Sequence, residues 1–351
     1  MSDMNLEALR AEAEDFRNTF AQSRAEIGKV IVGQDRVVEA TLTALFCGGN
    51  VLLEGVPGLG KTELVKAMSQ VLDLDFRRIQ FTPDLMPADI TGTEVIQEDK
   101  ATGSRTLKFL KGPVFANVVL ADEINRTPPK TQAALLEAMQ EHQVTISGER
   151  HGLPNPFFVL ATQNPIEQEG TYPLPEAQLD RFMLQVFVDY PSEEEEYAIV
   201  CQTTATRVAT IDRVLSGEEL IELQSVVRQI PAAEHVVRYA LSLARWTRRD
   251  APEAPEIIRK YVRWGAGPRA SQYLVLAAKA RAALLGDGHV TPEHVRAGAR
   301  PVRRHRVMTN FHAEADRMTP DKIIAALTEL VPLVPASKSS LQPVASVLRD
   351  S

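Results

Sequence analysis

The sequence predicts an α/β fold, with a parallel five-stranded sheet in the first half of the chain and a helical region after it. Apolar runs alternate with helical segments as far as Pro191, which is the pattern of strands joined by crossover helices. A glycine-rich loop follows the first apolar run, and the composition becomes helical from Ser192 onwards. The 351 residues are enough for two domains.

The predicted elements follow this order along the chain. One helix is expected before Val30 and a second over residues 34–46, because both segments are rich in Ala, Glu, Leu and Arg at helical spacing. The apolar runs predict strands, and the segments between them predict crossover helices. The strands are expected at 51–53, 77–81, 118–121, 157–161 and 183–188, with helices at 61–72 and 129–142.

Two segments interrupt the alternation. The first insert, residues 91–114, contains two β-like runs, and the second insert, residues 143–156, has the pattern of a hairpin that turns near Gly148. Taken alone, each predicts an insertion at the surface.

The segment after Pro191 starts with a capping box, because Ser192 is followed by acidic residues, among them Glu193, Glu194 and Glu195, that suit the positive end of a helix. Thr291 followed by Pro292 predicts a further helix start. We therefore expect an N-terminal helix over 1–30, a large α/β domain over 31–191, an all-helical small domain over 192–335 and a flexible tail over 336–351.

Composition excludes several classes of protein. The net charge of −7 disfavours a constitutive nucleic-acid coat. Cys47 and Cys201 are the only cysteines, which disfavours a disulfide framework, and no histidine or cysteine has metal-ligand spacing. The acidic start does not resemble a signal peptide, and no apolar run approaches the roughly 20 residues that span a bilayer. We expect a cytoplasmic protein without a membrane span.

The glycine-rich loop reads GVPGLGKT and matches the pattern G-x-x-x-x-G-K-[ST]. Glycines let the backbone wrap around phosphates at the start of a helix, while the lysine reaches the β- and γ-phosphates and the threonine hydroxyl binds Mg²⁺. An ordinary strand-to-helix turn is the disfavoured alternative. The nucleotide-contacting candidates are Gly55, Val56, Pro57, Gly58, Leu59, Gly60, Lys61, Thr62 and Glu63.

Polar residues at the ends of two later strands complete this pattern. VVLADE ends in Asp122, predicted to hold Mg²⁺ through water, and Glu123, predicted to act as general base on the attacking water. Asn164 in ATQNP follows the fourth strand and could hydrogen-bond the γ-phosphate and that water. The carboxyl ends of parallel strands form the ligand-binding edge of such a sheet, so these residues are expected beside the glycine-rich loop.

Two arginines have two interpretations each. Arg181 in PEAQLDRFM could reach the γ-phosphate of a neighbouring subunit, or it could form a local surface pair with Asp180. Arg269 in GPRAS could reach a nucleotide from the helical region, or it could lie in a turn capped by Ser271. The residues alone leave both questions open.

Other arginines are candidates for contacts rather than catalysis. The basic clusters at 245–249 and 300–306 could bind nucleic acid, but the acidic balance favours a helix surface or a contact between domains or subunits. Arg126 and Arg150 are further candidates for contacts across a subunit interface.

In this order, GVPGLGKT, VVLADEINR, ATQNP, PEAQLDRFM and GPRAS resemble the MoxR family of AAA+ ATPases. The likeness extends from about Val32 to Arg306. It implies an AAA+ P-loop core with a C-terminal helical lid domain. Residues 55–62 correspond to Walker A, Asp122 and Glu123 to Walker B, and Asn164 to sensor 1.

The resemblance also gives roles to the two arginines and the two inserts. Arg181 corresponds to the arginine finger and Arg269 to sensor 2, although it stays open whether Arg269 serves its own nucleotide or a neighbour's. The first insert corresponds to the helix-2 insert, and the second to the pre-sensor-1 hairpin. In similar proteins both inserts line the central channel side of a ring.

The function implied by this resemblance is ATP hydrolysis with Mg²⁺ in a homo-oligomeric ring, expected to be a hexamer. The ring would remodel or activate a client protein or complex, with a partner that carries a von Willebrand factor A domain. The client remains unidentified. The alternatives are a nucleic-acid motor, for which a helix-turn-helix or zinc module is missing, and a scaffold that binds ATP without turnover, which Glu123 and Asn164 disfavour.

Overall fold

The computed structural model describes residues 3–98, 105–165, 170–205 and 209–333. The predicted turn of the first insert at 100–103 and the predicted tail at 336–351 lie outside these ranges. The described strands are β1 (Val51–Glu54), β2 (Phe76–Gln80), β3 (Gly92–Glu98), β4 (Arg105–Lys111), β5 (Val118–Asp122), β6 (Gln143–Ile146), β7 (Glu149–Gly152), β8 (Phe158–Gln163), β9 (Leu184–Phe187), β10 (Val262–Trp264) and β11 (Met308–Thr309).

Helices surround the strands and form most of the second half of the chain. None of the helices in the described part of the chain combines the length and apolar character needed to span a bilayer. They are α1 (Asp3–Gly28), α2 (Asp35–Phe46), α3 (Lys61–Val71), α4 (Pro87–Thr91), α5 (Pro129–Glu141), α6 (Glu176–Leu179), α7 (Glu193–Thr203), α8 (Gly217–Gln229), α9 (Glu234–Arg245), α10 (Glu256–Tyr261), α11 (Pro268–Leu285), α12 (Pro292–Arg303), α13 (Phe311–Ala315) and α14 (Pro320–Leu330).

The predicted five-stranded parallel sheet is confirmed, in the order β2-β5-β8-β1-β9. Successive side chains of a strand point to opposite faces, so each central strand contributes to two apolar layers. Leu53 and Leu120 join the layer that includes residues of α1, α2, α3 and the C-terminal helices. Leu52 and Val119 join the other layer, with residues of α5. Burial on both faces explains the continuous apolar runs of the sequence.

The region after Pro191 is mainly helical, as predicted, and its two expected helix starts are confirmed. The Ser192 hydroxyl accepts a hydrogen bond from the Glu195 N–H at 3.3 Å, and Thr291 is the N-cap of α12. The structure adds a short antiparallel pair, β10 with β11, to the all-helical arrangement that we expected. We retain 31–191 and 192–335 as proposed domains.

Helix α1 packs on both proposed domains. Phe16, Phe20 and Ile27 are buried in the larger apolar layer, and α1 contacts α3 of the first domain as well as α8 and α11 of the second. The predicted N-terminal helix is therefore an integral part of the core.

The two inserts are hairpins that contact each other. Strand β3 pairs with β4, and β6 pairs with β7, both antiparallel. The rings of Phe109 and His151 stack with centroids 4.3 Å apart, and the Ser147 hydroxyl donates to Glu94 Oε2. The inserts thus form one continuous surface feature.

Candidate functional site

The glycine-rich loop connects β1 to α3, as the sequence predicts. Gly58 and Gly60 have φ angles of 85° and 74°, a left-handed conformation that residues with a Cβ rarely adopt. Gly60 is the N-cap of α3, so this helix directs its N-terminus at the loop. The partial positive charge at a helix N-terminus favours an anion there.

Lys61 contacts the loop itself in this structure. Its Nζ donates to the carbonyl oxygens of Gly55 and, at 2.9 Å, Val56. Burial lowers the pKa of Lys61, and the opposing charges of Asp122 and Glu123 partly offset this effect. The ammonium group is therefore held by two neutral acceptors, which a phosphate could replace.

Asp122, at the end of β5, has a hydrogen-bond partner on each carboxylate oxygen. The Thr162 hydroxyl donates to Oδ1 at 2.6 Å, while Arg78 donates to Oδ2 from Nε at 3.0 Å and from Nη2 at 2.6 Å. The Asp122 side chain is only 12% exposed. These contacts fix the orientation of its carboxylate.

Glu123 occupies an unusual backbone conformation beside Asp122. Its φ is 57°, and its N–H donates to Thr162 Oγ1 at 2.8 Å. A left-handed conformation at a residue other than glycine costs on the order of 1–3 kcal/mol and often marks a functional position. Glu123 Oε2 accepts a hydrogen bond from Gln80 Nε2 at 3.0 Å and lies 3.2 Å from Arg126 Nε.

One cavity of about 260 Å³ collects most of the predicted site residues. Its walls include Pro57, Gly58, Leu59, Gly60, Lys61, Thr62, Glu63, Asp122, Glu123 and Asn164. Gly55 and Val56 do not line it and contribute the carbonyl groups that hold Lys61. The cavity also contains Arg78, Gln80, Thr162 and Gln163, which sequence reasoning missed. The sequence feature that could have identified these four residues is their position near the carboxyl ends of β2 and β8.

The oxygen ligands available in this cavity suit Mg²⁺. Thr62 and Asp122 both line the cavity, next to the loop that would hold phosphates. Mg²⁺ typically takes one or two protein oxygens and completes its shell with water and substrate phosphates. Within the described ranges no group of three or more His, Cys, Asp or Glu residues could hold a metal, so a site made only of such side chains is not found there.

Arg181 and Arg269 are not among the residues that line this cavity. Asp180, which we considered as a local partner of Arg181, is instead 2.7 Å from Arg306 Nε and 3.6 Å from Arg269 Nη1. The Arg181 N–H donates to the Gln178 carbonyl at 3.1 Å, in the turn that follows α6. The structure thus places both arginines next to Asp180, at the contact between the two proposed domains.

The remaining arginine candidates have different surroundings. In the cluster at 300–306, Arg303 and Arg306 are buried, and Arg306 contacts the turn after α6, which agrees with a contact between domains. Arg126 lies beside Glu123, and Arg150 is on β7 in the second insert.

Comparison with known proteins agrees with this geometry. Residues 50–184 match the model of the ATPase family associated with various cellular activities (AAA), and residues 254–327 match that of the AAA lid domain. The chain is 40% identical to Chaperone MoxR1 of Mycobacterium tuberculosis, covering 96% of this chain and 89% of the relative. It is 31% identical to the protein MoxR of Methylorubrum extorquens, covering 91% of this chain and 96% of that one. The chain belongs to the MoxR family of AAA+ ATPases.

A solved structure supports the same assignment for the whole fold. A protein from Cytophaga hutchinsonii, whose description proposes an ATPase, is 40% identical to this MoxR-family chain. The two superpose with a TM-score of 0.86, over 94% of this chain and 99% of the other. The resemblance stated from the sequence motifs is confirmed, as are the AAA+ core and the helical lid.

Proposed function

We propose that this MoxR-family chain hydrolyses ATP with Mg²⁺ as a homo-oligomeric ring, with six subunits as the expectation. The ring would remodel or activate a client protein or complex, together with a partner that carries a von Willebrand factor A domain. The observation that supports ATP hydrolysis is that one cavity is lined by Lys61 of the phosphate loop, by two acidic residues and by the buried Asn164. The acidic residues are Asp122 and Glu123.

Each residue has a separate role in the proposed reaction. Lys61 exchanges the carbonyl groups of Gly55 and Val56 for the β- and γ-phosphates. Thr62, and Asp122 through water, would hold Mg²⁺, which would supply positive charge beside the phosphate oxygens.

Glu123 accepts a proton from the water that attacks the γ-phosphate, while Asn164 orients that water. In the structure, the Glu123 carboxylate contacts Gln80 and Arg126. These contacts must rearrange before Glu123 can act as the base. The left-handed backbone conformation of Glu123 sets the direction in which its side chain leaves the end of β5. The rigid sheet fixes the position of this residue.

Arg181 and Arg269 support the oligomeric part of the proposal. Neither lines the cavity of its own chain, which is consistent with contact to a nucleotide bound by a neighbouring copy, and Arg269 would leave its ion pair with Asp180 for this contact. An arginine supplied by a neighbour stabilises the charge that develops on the transferred phosphoryl group. We assign Arg181 to this role and Arg269 to a nucleotide-sensing role at the same interface.

The nucleic-acid alternative gains no support from the described part of the first insert. Its basic residues Arg105, Lys108 and Lys111 share the hairpin with Glu94 and Glu98, and Arg105 lies 3.5 Å from Glu98. Addition of DNA should therefore leave the ATPase rate unchanged.

The test of the proposed function is Glu123→Gln, with Glu141→Gln at the exposed end of α5 as matched control. Loss of the general base should slow ATP turnover by about 100-fold or more while the affinity for ATP stays similar. Glu141→Gln should behave as the wild type. Turnover at the wild-type rate in Glu123→Gln would refute the role of Glu123.

A further inference from the structure

Arg78 is the residue of β2 that neutralises the carboxylate proposed to hold Mg²⁺. Its Nε and Nη2 both donate to Asp122 Oδ2, at 3.0 and 2.6 Å. About half of the Arg78 side chain is exposed, and it lines the nucleotide cavity, whereas Asp122 is nearly buried. A carboxylate removed from water needs a nearby positive charge, and Arg78 supplies one here.

The Asp122 carboxylate cannot bind the Arg78 guanidinium group and a divalent cation at full strength at the same time. A divalent cation that uses Asp122 would lie close to the guanidinium group, and like charges at such a distance repel. The pair of hydrogen bonds from Arg78 also occupies Oδ2, while Thr162 occupies Oδ1 at 2.6 Å. A cation held by Asp122 through water would therefore weaken the contact of Arg78 with this carboxylate.

Arg78 also connects this contact to Glu123. Its Nη2 donates to Gln80 Oε1, and Gln80 Nε2 donates to Glu123 Oε2 at 3.0 Å. The chain of contacts runs from Asp122 through Arg78 and Gln80 to Glu123, across β2 and β5. Movement of Arg78 would remove one of the hydrogen bonds that orient the Gln80 amide, which in turn holds Glu123.

We propose that Arg78 is a positioning residue, a resident cation that keeps Asp122 oriented in the metal-free site and yields to Mg²⁺ when nucleotide arrives. This proposal rests on the proposed function, because it assumes a Mg²⁺–nucleotide complex in the cavity.

The experiment compares nucleotide affinity with and without metal, so that it does not depend on turnover. The dissociation constant of a fluorescent ADP analogue is measured in excess EDTA and in excess Mg²⁺. The EDTA value divided by the Mg²⁺ value is the gain in affinity due to the metal. Arg78→Met removes the charge and keeps an unbranched side chain. The matched control is Arg77→Met, on the same strand, where Arg77 is exposed and 3.9 Å from Asp75.

The gain due to Mg²⁺ should be about three- to fivefold larger in Arg78→Met than in the wild type, because metal no longer displaces a competing cation from a half-exposed pair. Arg77→Met should have the wild-type ratio. An unchanged or smaller ratio in Arg78→Met would overturn the proposal.

Two further outcomes of the experiment are a variant that does not fold and a wild type that does not bind the analogue. If Arg78→Met does not fold, Arg78→Gln is measured in the same way and carries the same expectation. If the wild type binds the analogue in neither buffer, the proposed function fails, and this result differs from binding with an unchanged ratio, which rejects the role of Arg78 alone.

Discussion

Arg306 Nε donates to Asp180 Oδ1 at 2.7 Å, and this contact fixes the turn that carries Arg181. Arg306 is buried, and its Nη2 also donates to the backbone oxygens of Asp180 at 2.9 Å and Phe182 at 2.6 Å. The arginine that we assign to a neighbouring nucleotide is therefore positioned by a residue of the helical lid.

We expect Asp180→Asn to destabilise the protein by about 2 kcal/mol, since it leaves the buried guanidinium of Arg306 without a carboxylate. Urea unfolding of the purified protein measures this change. Asp73→Asn is the control, because Asp73 pairs with Arg213 at 2.8 Å with more than half of both side chains exposed. That control should cost well under about 1 kcal/mol. Equal losses in both variants would contradict the importance of the Asp180–Arg306 contact.

Lys61→Ala should weaken ATP binding by about 100-fold or more, because it removes charged hydrogen bonds to two phosphates. Equilibrium binding of a fluorescent ATP analogue provides the measurement. Lys66→Ala tests a lysine of the same helix that is half-exposed and 2.8 Å from Glu63. Its affinity should stay close to that of the wild type, and an unchanged affinity in Lys61→Ala would remove the Walker A assignment.

Arg181→Ala and Lys61→Ala should each lose ATPase activity, and a mixture of the two variants should regain part of it. In the mixture, some interfaces combine an intact Lys61 from one subunit with an intact Arg181 from the next. Loss of an arginine of this kind slows phosphoryl transfer by about 10³–10⁵-fold, so recovery is easily detected.

The control for this experiment mixes the double variant with Lys61→Ala, which leaves no interface with an intact Lys61. Activity should then stay at background. Absence of recovery in the first mixture would argue against a site shared between subunits.

His305 should make stability fall at acidic pH. It is buried, its Nε2 is 3.1 Å from the Phe182 carbonyl, and burial together with the charge of Arg306 holds its pKa well below the ordinary value of about 6.5. As the pH falls below 6.5, the unfolded chain binds a proton at this residue and the folded protein does not. The free energy of unfolding therefore decreases, by about 1 kcal/mol between pH 6.5 and 5.5.

Urea unfolding at several pH values tests the role of His305. His305→Gln should lack this part of the pH dependence, while the exposed His289 provides the control variant His289→Gln with the wild-type slope. A wild-type slope in His305→Gln would show that other groups cause the acid sensitivity.

The nucleotide loop and the strand-end carboxylates could be predicted from the sequence because their signals are local. Lys61 and Thr62 lie in one short motif, while Asp122 ends a buried strand and Glu123 directly follows it. Arg78 and Gln80 could not be assigned in this way. Their role depends on the register of β2 with β5, which pairs Arg78 with Leu120 and Gln80 with Asp122.

The burial of the basic residues of the lid could not be predicted from the sequence, for a different reason. Arg303 and Arg306 lie in a segment whose charge is typical of a surface, yet both are buried. Arg303 donates to the carbonyl groups of Ala299 and Leu243 and to the Thr328 hydroxyl, so distant elements satisfy its hydrogen bonds. Sequence alone could not show these partners. The pair β10 and β11 escaped prediction because the strands are only three and two residues long.

The packing of α1 sets an order in which the chain can fold. This helix is synthesised well before α11, with which it packs, and its Phe16 and Ile27 belong to the same buried apolar layer as residues of α11. Contacts between segments so far apart in sequence form slowly and leave apolar surface exposed meanwhile. We therefore expect the apolar face of α1 to remain without its packing partner in the newly made chain until α11 has been synthesised.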